Sequence, residues 1–126
     1  MLIAVVMAAT LAGSEETSKP LPTDIPANAV IYDQSDARKM SLPRGYYPSK
    51  ALKAHADGIV FVDCEISNET FVRCAVLKET PPELGFGKAT AVLFLKYSKS
   101  KCDSPYTNTC WKKFRYTWEY SNHADW

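Results

Sequence analysis

Charge of one sign is what this chain lacks most plainly. Fifteen basic residues stand against fourteen acidic ones, a formal net charge of +1. That balance argues against nucleic acid as the main partner, which demands a strongly basic face. Histidine is scarce: His55 and His123 are the only two, and they show no ligand spacing. No HExxH, phosphate loop or nucleophile elbow occurs. Glu15, Glu16, Asp33, Asp36, Asp63 and Glu65 supply carboxylates, but nothing pairs two of them around a cleft, and solvated faces explain them. The chain therefore reads as non-enzymatic, without cofactor or metal. Long hydrophobic runs are lacking too. The uncharged opening MLIAVVMAATLA would cover about 18 Å as a helix, short of the ~30 Å hydrocarbon core.

What is present fits one domain with short extensions. Residues 1–13 resemble the apolar region of a secretory signal, with Thr10-Leu11-Ala12 as a small-residue cleavage site. No basic segment precedes them. Either the α-amino group supplies the charge or the true start lies upstream and anchors the chain; a buried N-terminal segment is the alternative. Export places the protein in an oxidising compartment, where four cysteines form two disulfides with three pairings open.

Residues 14–43 are polar, and Pro20, Pro22 and Pro26 suit an extended linker. Residues 31–45 show no clean periodicity; they read as irregular, with room for a short N-terminal strand. Pro48 and Ser49 fit a helix start, Ala51, Leu52 and His55 or Ala56 its apolar stripe, and Gly58 its C′ position, which predicts a helix over 49–56. GIVFVDCEI (58–66) is a β-branched strand suited to a sheet centre, and TFVRCAVLKE (70–79) its antiparallel partner, turned at Ser67–Thr70. Phe86, Ala89, Val92, Leu93 and Tyr97 recur at helical spacing over about 86–97. In WKKFRYTWEY (111–120), Phe114, Tyr116, Trp118 and Tyr120 alternate with Lys113, Arg115, Thr117 and Glu119, the period of a strand with one aromatic face. The order helix-strand-strand-helix-strand predicts an α+β fold, a small three-stranded antiparallel sheet with two helices.

Tyr47-Pro48, the short helix, Gly58 with a Val-rich strand, the Cys64…Cys74 hairpin, Glu79-Thr80-Pro81-Pro82, and Gly85-Phe86-Gly87 opening an Ala-rich helix occur in that order. Together, over residues 44–120, they resemble the C-terminal domain of TonB-type energy transducers. The resemblance implies a periplasmic domain that engages a short extended peptide, the TonB box of an outer-membrane receptor, through its last strand. The chain departs from the family pattern at the hairpin tip, where Asn68-Glu69-Thr70 replaces an Asp-Gly turn, and in the loop 98–110 with its own cysteine pair. The apolar N-terminus is too short to span a membrane, and only about thirty residues, reaching about 100 Å when extended, precede the domain.

Cys64 and Cys74 lie ten apart and Cys102 and Cys110 eight, neither a metal-ligand spacing. With 67–71 as the hairpin loop, Ile66 faces Val72 and Cys64 faces Cys74 at a separation a disulfide can bridge. Cys102 and Cys110 close a loop of turn formers, so the expected pairs are Cys64–Cys74 and Cys102–Cys110. The alternative for Cys64 and Cys74 is a pair of small buried hydrophobes. Asn68-Glu69-Thr70 is also a glycosylation sequon; the family resembled is bacterial, which makes chance the simpler explanation. The aromatic-basic mixture at 111–118 mimics a single-strand nucleic-acid platform; a core face backed by charges that guard a sheet edge is the simpler account. The expected partner-binding residues are Lys113, Arg115, Thr117 and Glu119 in the last strand, with Tyr46 and Tyr47 as aromatic walls. An envelope scaffold or inhibitor of the same fold is the second reading, and a homodimer is left open.

Overall fold

The computed structural model describes residues 21–40 and 47–123. The apolar opening and Tyr46 lie outside them. The elements are β1 (Val30–Asp33), α1 (Gln34–Lys39), α2 (Ser49–Lys53), β2 (Gly58–Ser67), β3 (Thr70–Thr80), α3 (Phe86–Tyr97), β4 (Thr109–Trp118) and a closing 3-10 turn, Tyr120–His123. All strand pairs are antiparallel, in the order β1-β3-β2-β4. The fold is α+β, but with four strands and three α-helices among the described residues where three and two were expected.

The additions come from residues 30–39, read above as linker with room for a short N-terminal strand, the place β1 takes. Val30 to Asp33 pair with Val76 to Arg73 on β3. Asp33 then caps α1: its Oδ1 accepts from Asp36 N (3.0 Å), and its own N–H donates to Asp36 Oδ2 (2.9 Å). A four-residue strand followed by a six-residue helix is too short for either period to show. Tertiary bonds hold the pair in place. Gln34 Nε2 donates to the Phe71 carbonyl (2.7 Å) and the Leu95 carbonyl (2.8 Å), joining α1 to β3 and α3, and Ala37 is fully buried.

β2 is an inner strand, as its composition predicts, with β3 the other. Val60, Val62, Cys64 and Ile66 are fully buried on the face toward α3. The β2–β3 turn falls at Ser67–Thr70 as expected, but the longer 67–71 loop used to register the hairpin does not form. The connection is a two-residue turn at Asn68 and Glu69, both at positive φ (51° and 69°), which is the twist a tight hairpin needs. Ile66 faces Phe71 and not Val72, and Val72 is left over as a bulge. The bulge restores the register, so Cys64 still faces Cys74. Both expected disulfides are present.

Two helix expectations need correction. α2 ends at Lys53, with Pro48 in the capping position and Ser49 already helical. The residue at positive φ after it is His55 (53°). Gly58 instead opens β2, where an added Cβ would lie 2.5 Å from the Phe86 ring. α3 spans the predicted residues, but Thr90, Ala91, Phe94 and Leu95 are buried as well. It packs on the sheet with one side and on α1 with another, so its buried surface is wider than one stripe. Tyr97, at its last position, is 59% exposed.

Candidate functional site

Among the described residues β4 pairs only with β2, from Gly58 opposite Trp118 to Ser67 opposite Thr109, and so forms a sheet edge. Period two splits its side chains. Phe114, Tyr116 and Trp118 face the helices; their rings meet Phe94 (5.3 and 5.8 Å) and one another (Tyr116–Trp118, 5.2 Å). Trp118 Nε1 donates to Thr90 Oγ1 (2.8 Å), which donates to the Phe86 carbonyl (2.8 Å). Lys113, Arg115 and Thr117 are exposed on the outer face.

The structure thus gathers three of the six expected partner-binding residues on one face of an edge strand. Glu119 and Tyr47 part from them. Glu119 is exposed but lies beyond the strand, because Trp118 already pairs with Gly58, the first residue of β2. Tyr47 is fully buried. Its hydroxyl donates to the Ala56 carbonyl and its ring meets Phe86 and Trp118 edge-on. It is a core residue with no face left for a partner, and burial pushes its phenol up to about 12. Tyr46 lies outside the described residues.

Behind the exposed residues the outer face is charged and partly closed. Lys113, Asp63, Ala75 and Ile31 form a row across the sheet. Asp63 is only 1% exposed, and among the described residues neither carboxylate oxygen makes a well-formed hydrogen bond. Its counter-charge among the described residues is Lys113 Nζ, 3.3 Å from Oδ2, and the same ammonium donates to Asp24 Oδ2 at 2.8 Å. Burial holds the Asp63 carboxyl above the usual carboxylate range, against the pull of Lys113. The hydrogen bond from Lys113 holds Asp24 below that range. Lys113 itself is raised, first by the bond to Asp24 and then by Asp63. In the next row Arg73 donates to the buried Glu65 (2.6 Å) and lies over Trp111, 5.1 Å from the ring centroid.

Residues 21–29 cross this face as a strap. Asp24 meets Lys113 on β4, and Val30 opposes Val76 on β3. Two turns compact the strap: Ile25 N donates to the Pro22 carbonyl (3.3 Å) and Ala29 N to the Pro26 carbonyl (3.0 Å). Sequence reasoning put Asp24 in a linker and Asp63 on a solvated face. A signal for Asp63 existed, since alternation along a strand assigned to the sheet centre sets Asp63 and Glu65 on one face, where burial demands partners. Nothing in the sequence pointed to Asp24.

Among the described residues no group of three or more His, Cys, Asp or Glu side chains is placed to hold a metal ion. Nor is any helix there long and apolar enough to cross a membrane. The two disulfides fit an oxidising compartment. No family model, no curated protein and no solved structure matches the chain.

Proposed function

We propose that this is a non-enzymatic interaction domain of the cell envelope that binds an extended partner segment by strand addition along β4. The observation that carries the reading is the edge itself. Ten residues, Thr109–Trp118, are paired on one side only among the described residues. Their core face is closed by aromatics and their outer face displays Lys113, Arg115 and Thr117. Such an edge offers main-chain donors and acceptors for affinity and alternate side chains for selectivity. The resemblance to the TonB C-terminal domain names the partner class, the N-terminal peptide of an outer-membrane receptor in energy-coupled transport.

NMR titration with TonB-box-like peptides tests this. Shifts should run along Thr109–Trp118. Proline at Arg115 or Thr117 removes one ladder donor. Residues two apart along a strand point their N–H groups to the same side, so the two prolines should act alike: with those groups on the open edge, both should leave the fold intact and weaken binding, and with them toward β2 both should destabilise the domain. Shifts confined to the 67–71 turn or the 98–110 loop would overturn strand addition.

A second observation favours the scaffold or inhibitor reading. Tyr106 is 94% exposed within the loop closed by Cys102–Cys110. That loop is braced by Lys112, which pairs with Asp103 (3.2 Å) and donates to the Lys101 carbonyl (3.1 Å). A held loop presenting a bare aromatic ring suits insertion into a partner's pocket. Intact folding with no binding to any receptor peptide would favour this reading.

A further inference from the structure

Lys113 is held by two carboxylates of unequal standing. Asp63 is buried beneath it, and among the described residues neither oxygen makes a well-formed hydrogen bond, so moving the ammonium away would leave an uncompensated buried charge. Asp24 is exposed and belongs to the strap. An exposed ion pair of this kind is weak and readily exchanged. Lys113 is therefore fixed on one side and replaceable on the other.

Its position decides what could replace Asp24. Lys113 lies within β4, and a strand added at the open edge sets one residue beside it on the same face. Across such a pair opposite charges attract and like charges repel. Arg115, the next residue on that face, adds a second positive charge. A third carboxylate joining Asp24 and Asp63 around one ammonium would be repelled; those two already act on each other unfavourably. Exchange is favoured over addition.

We propose that Lys113 is a carboxylate-exchange site: Asp24 occupies it in the free protein and latches residues 21–29 across the sheet, and an acidic side chain on an incoming extended segment displaces Asp24 and frees the strap. The proposal rests on strand addition at β4, and it specifies the partner as a segment with Asp or Glu opposite Lys113. Binding and release of the strap are then one event.

The test has two parts. In the free chain, Asp24→Asn should speed exchange of the Ile25 and Ala29 amides by about two- to fivefold, the range expected for loss of an exposed pair. The second part uses Val/Thr-rich peptides carrying one Asp at successive positions, with their Asn counterparts. The best Asp peptide should shift the 21–29 amides on binding and bind Asp24→Asn tighter than wild type by a similar factor. The Asn peptide should not distinguish the two proteins. Lys113→Gln should abolish the preference for Asp; Lys113→Arg, which keeps Asp63 paired, should retain it if the glutamine variant does not fold. Peptide binding along β4 with the strap amides unmoved, both on binding and in Asp24→Asn, overturns the latch and leaves strand addition standing. A loosened strap in Asp24→Asn with no peptide bound by either protein overturns strand addition and the exchange with it.

Discussion

Gly58→Ala should damage this fold more than its small size suggests. A Cβ at position 58 would lie 2.5 Å from Cδ2 and Cε2 of Phe86 and 2.8 Å from Cγ. Carbon atoms in contact sit about 3.5–4.0 Å apart, so about 1 Å must be opened. The Phe86 ring has little room to yield. It is fully buried, with Tyr47 edge-on at 5.7 Å and Trp118 at 6.0 Å. The backbone at 58 is paired with Trp118 and cannot retreat without disturbing β4. Overpacking of this kind costs about 1–3 kcal/mol. For a domain near 100 residues each kcal/mol is about 4–8 °C in Tm. Urea unfolding of the oxidised protein, followed by tryptophan fluorescence, should show a lower midpoint with an unchanged slope. Phe86→Leu opens the same space, so the double variant should be more stable than the sum of the single losses by about 0.5–3 kcal/mol. A Gly58→Ala protein within about 0.5 kcal/mol of wild type, the ordinary range for neutral surface changes, or strict additivity with Phe86→Leu, would refute the packing argument.

Thr90→Val keeps the shape but orphans the buried Trp118 N–H, which should cost about 1–3 kcal/mol in the same assay; Thr90→Ser should recover most of it. Replacing Cys64 and Cys74 together by Ala removes a closure across ten residues and should cost about 2–3 kcal/mol in the chain-entropy picture; equal stability of the reduced and oxidised wild type would contradict it. Asp63→Asn should be more stable than wild type at pH 7. The raised Asp63 carboxyl makes the folded state the better proton binder, so wild type gains stability as pH falls through the folded value toward the unfolded one, near 3.9. The advantage of Asp63→Asn should therefore shrink toward pH 4, whereas the lowered Asp24 and Asp33 carboxyls act in the opposite sense in both proteins. A pH-independent difference between the two thermal midpoints would show that Asp63 titrates as an ordinary carboxylate.

Local pattern by itself determined much of this protein. The composition of 58–66 marked an inner strand, period two at 111–118 marked a strand with one aromatic face, and helical spacing marked 86–97. The cysteine spacing and the opposition of Cys64 and Cys74 were enough to pair the disulfides, because a hairpin relates near neighbours in sequence. Tertiary structure decided the rest. β1 and α1 are too short to carry a period, and they exist through pairing with β3 and the two bonds from Gln34. Tyr47 looks like a surface aromatic beside Pro48 until Phe86 and Trp118, far along the chain, close over it. Lys113 could be assigned to a solvated face from alternation alone. Its two carboxylates come from positions 24 and 63, and no local pattern relates residues that far apart; only the strap crossing the sheet brings a surface charge and a buried one to the same ammonium.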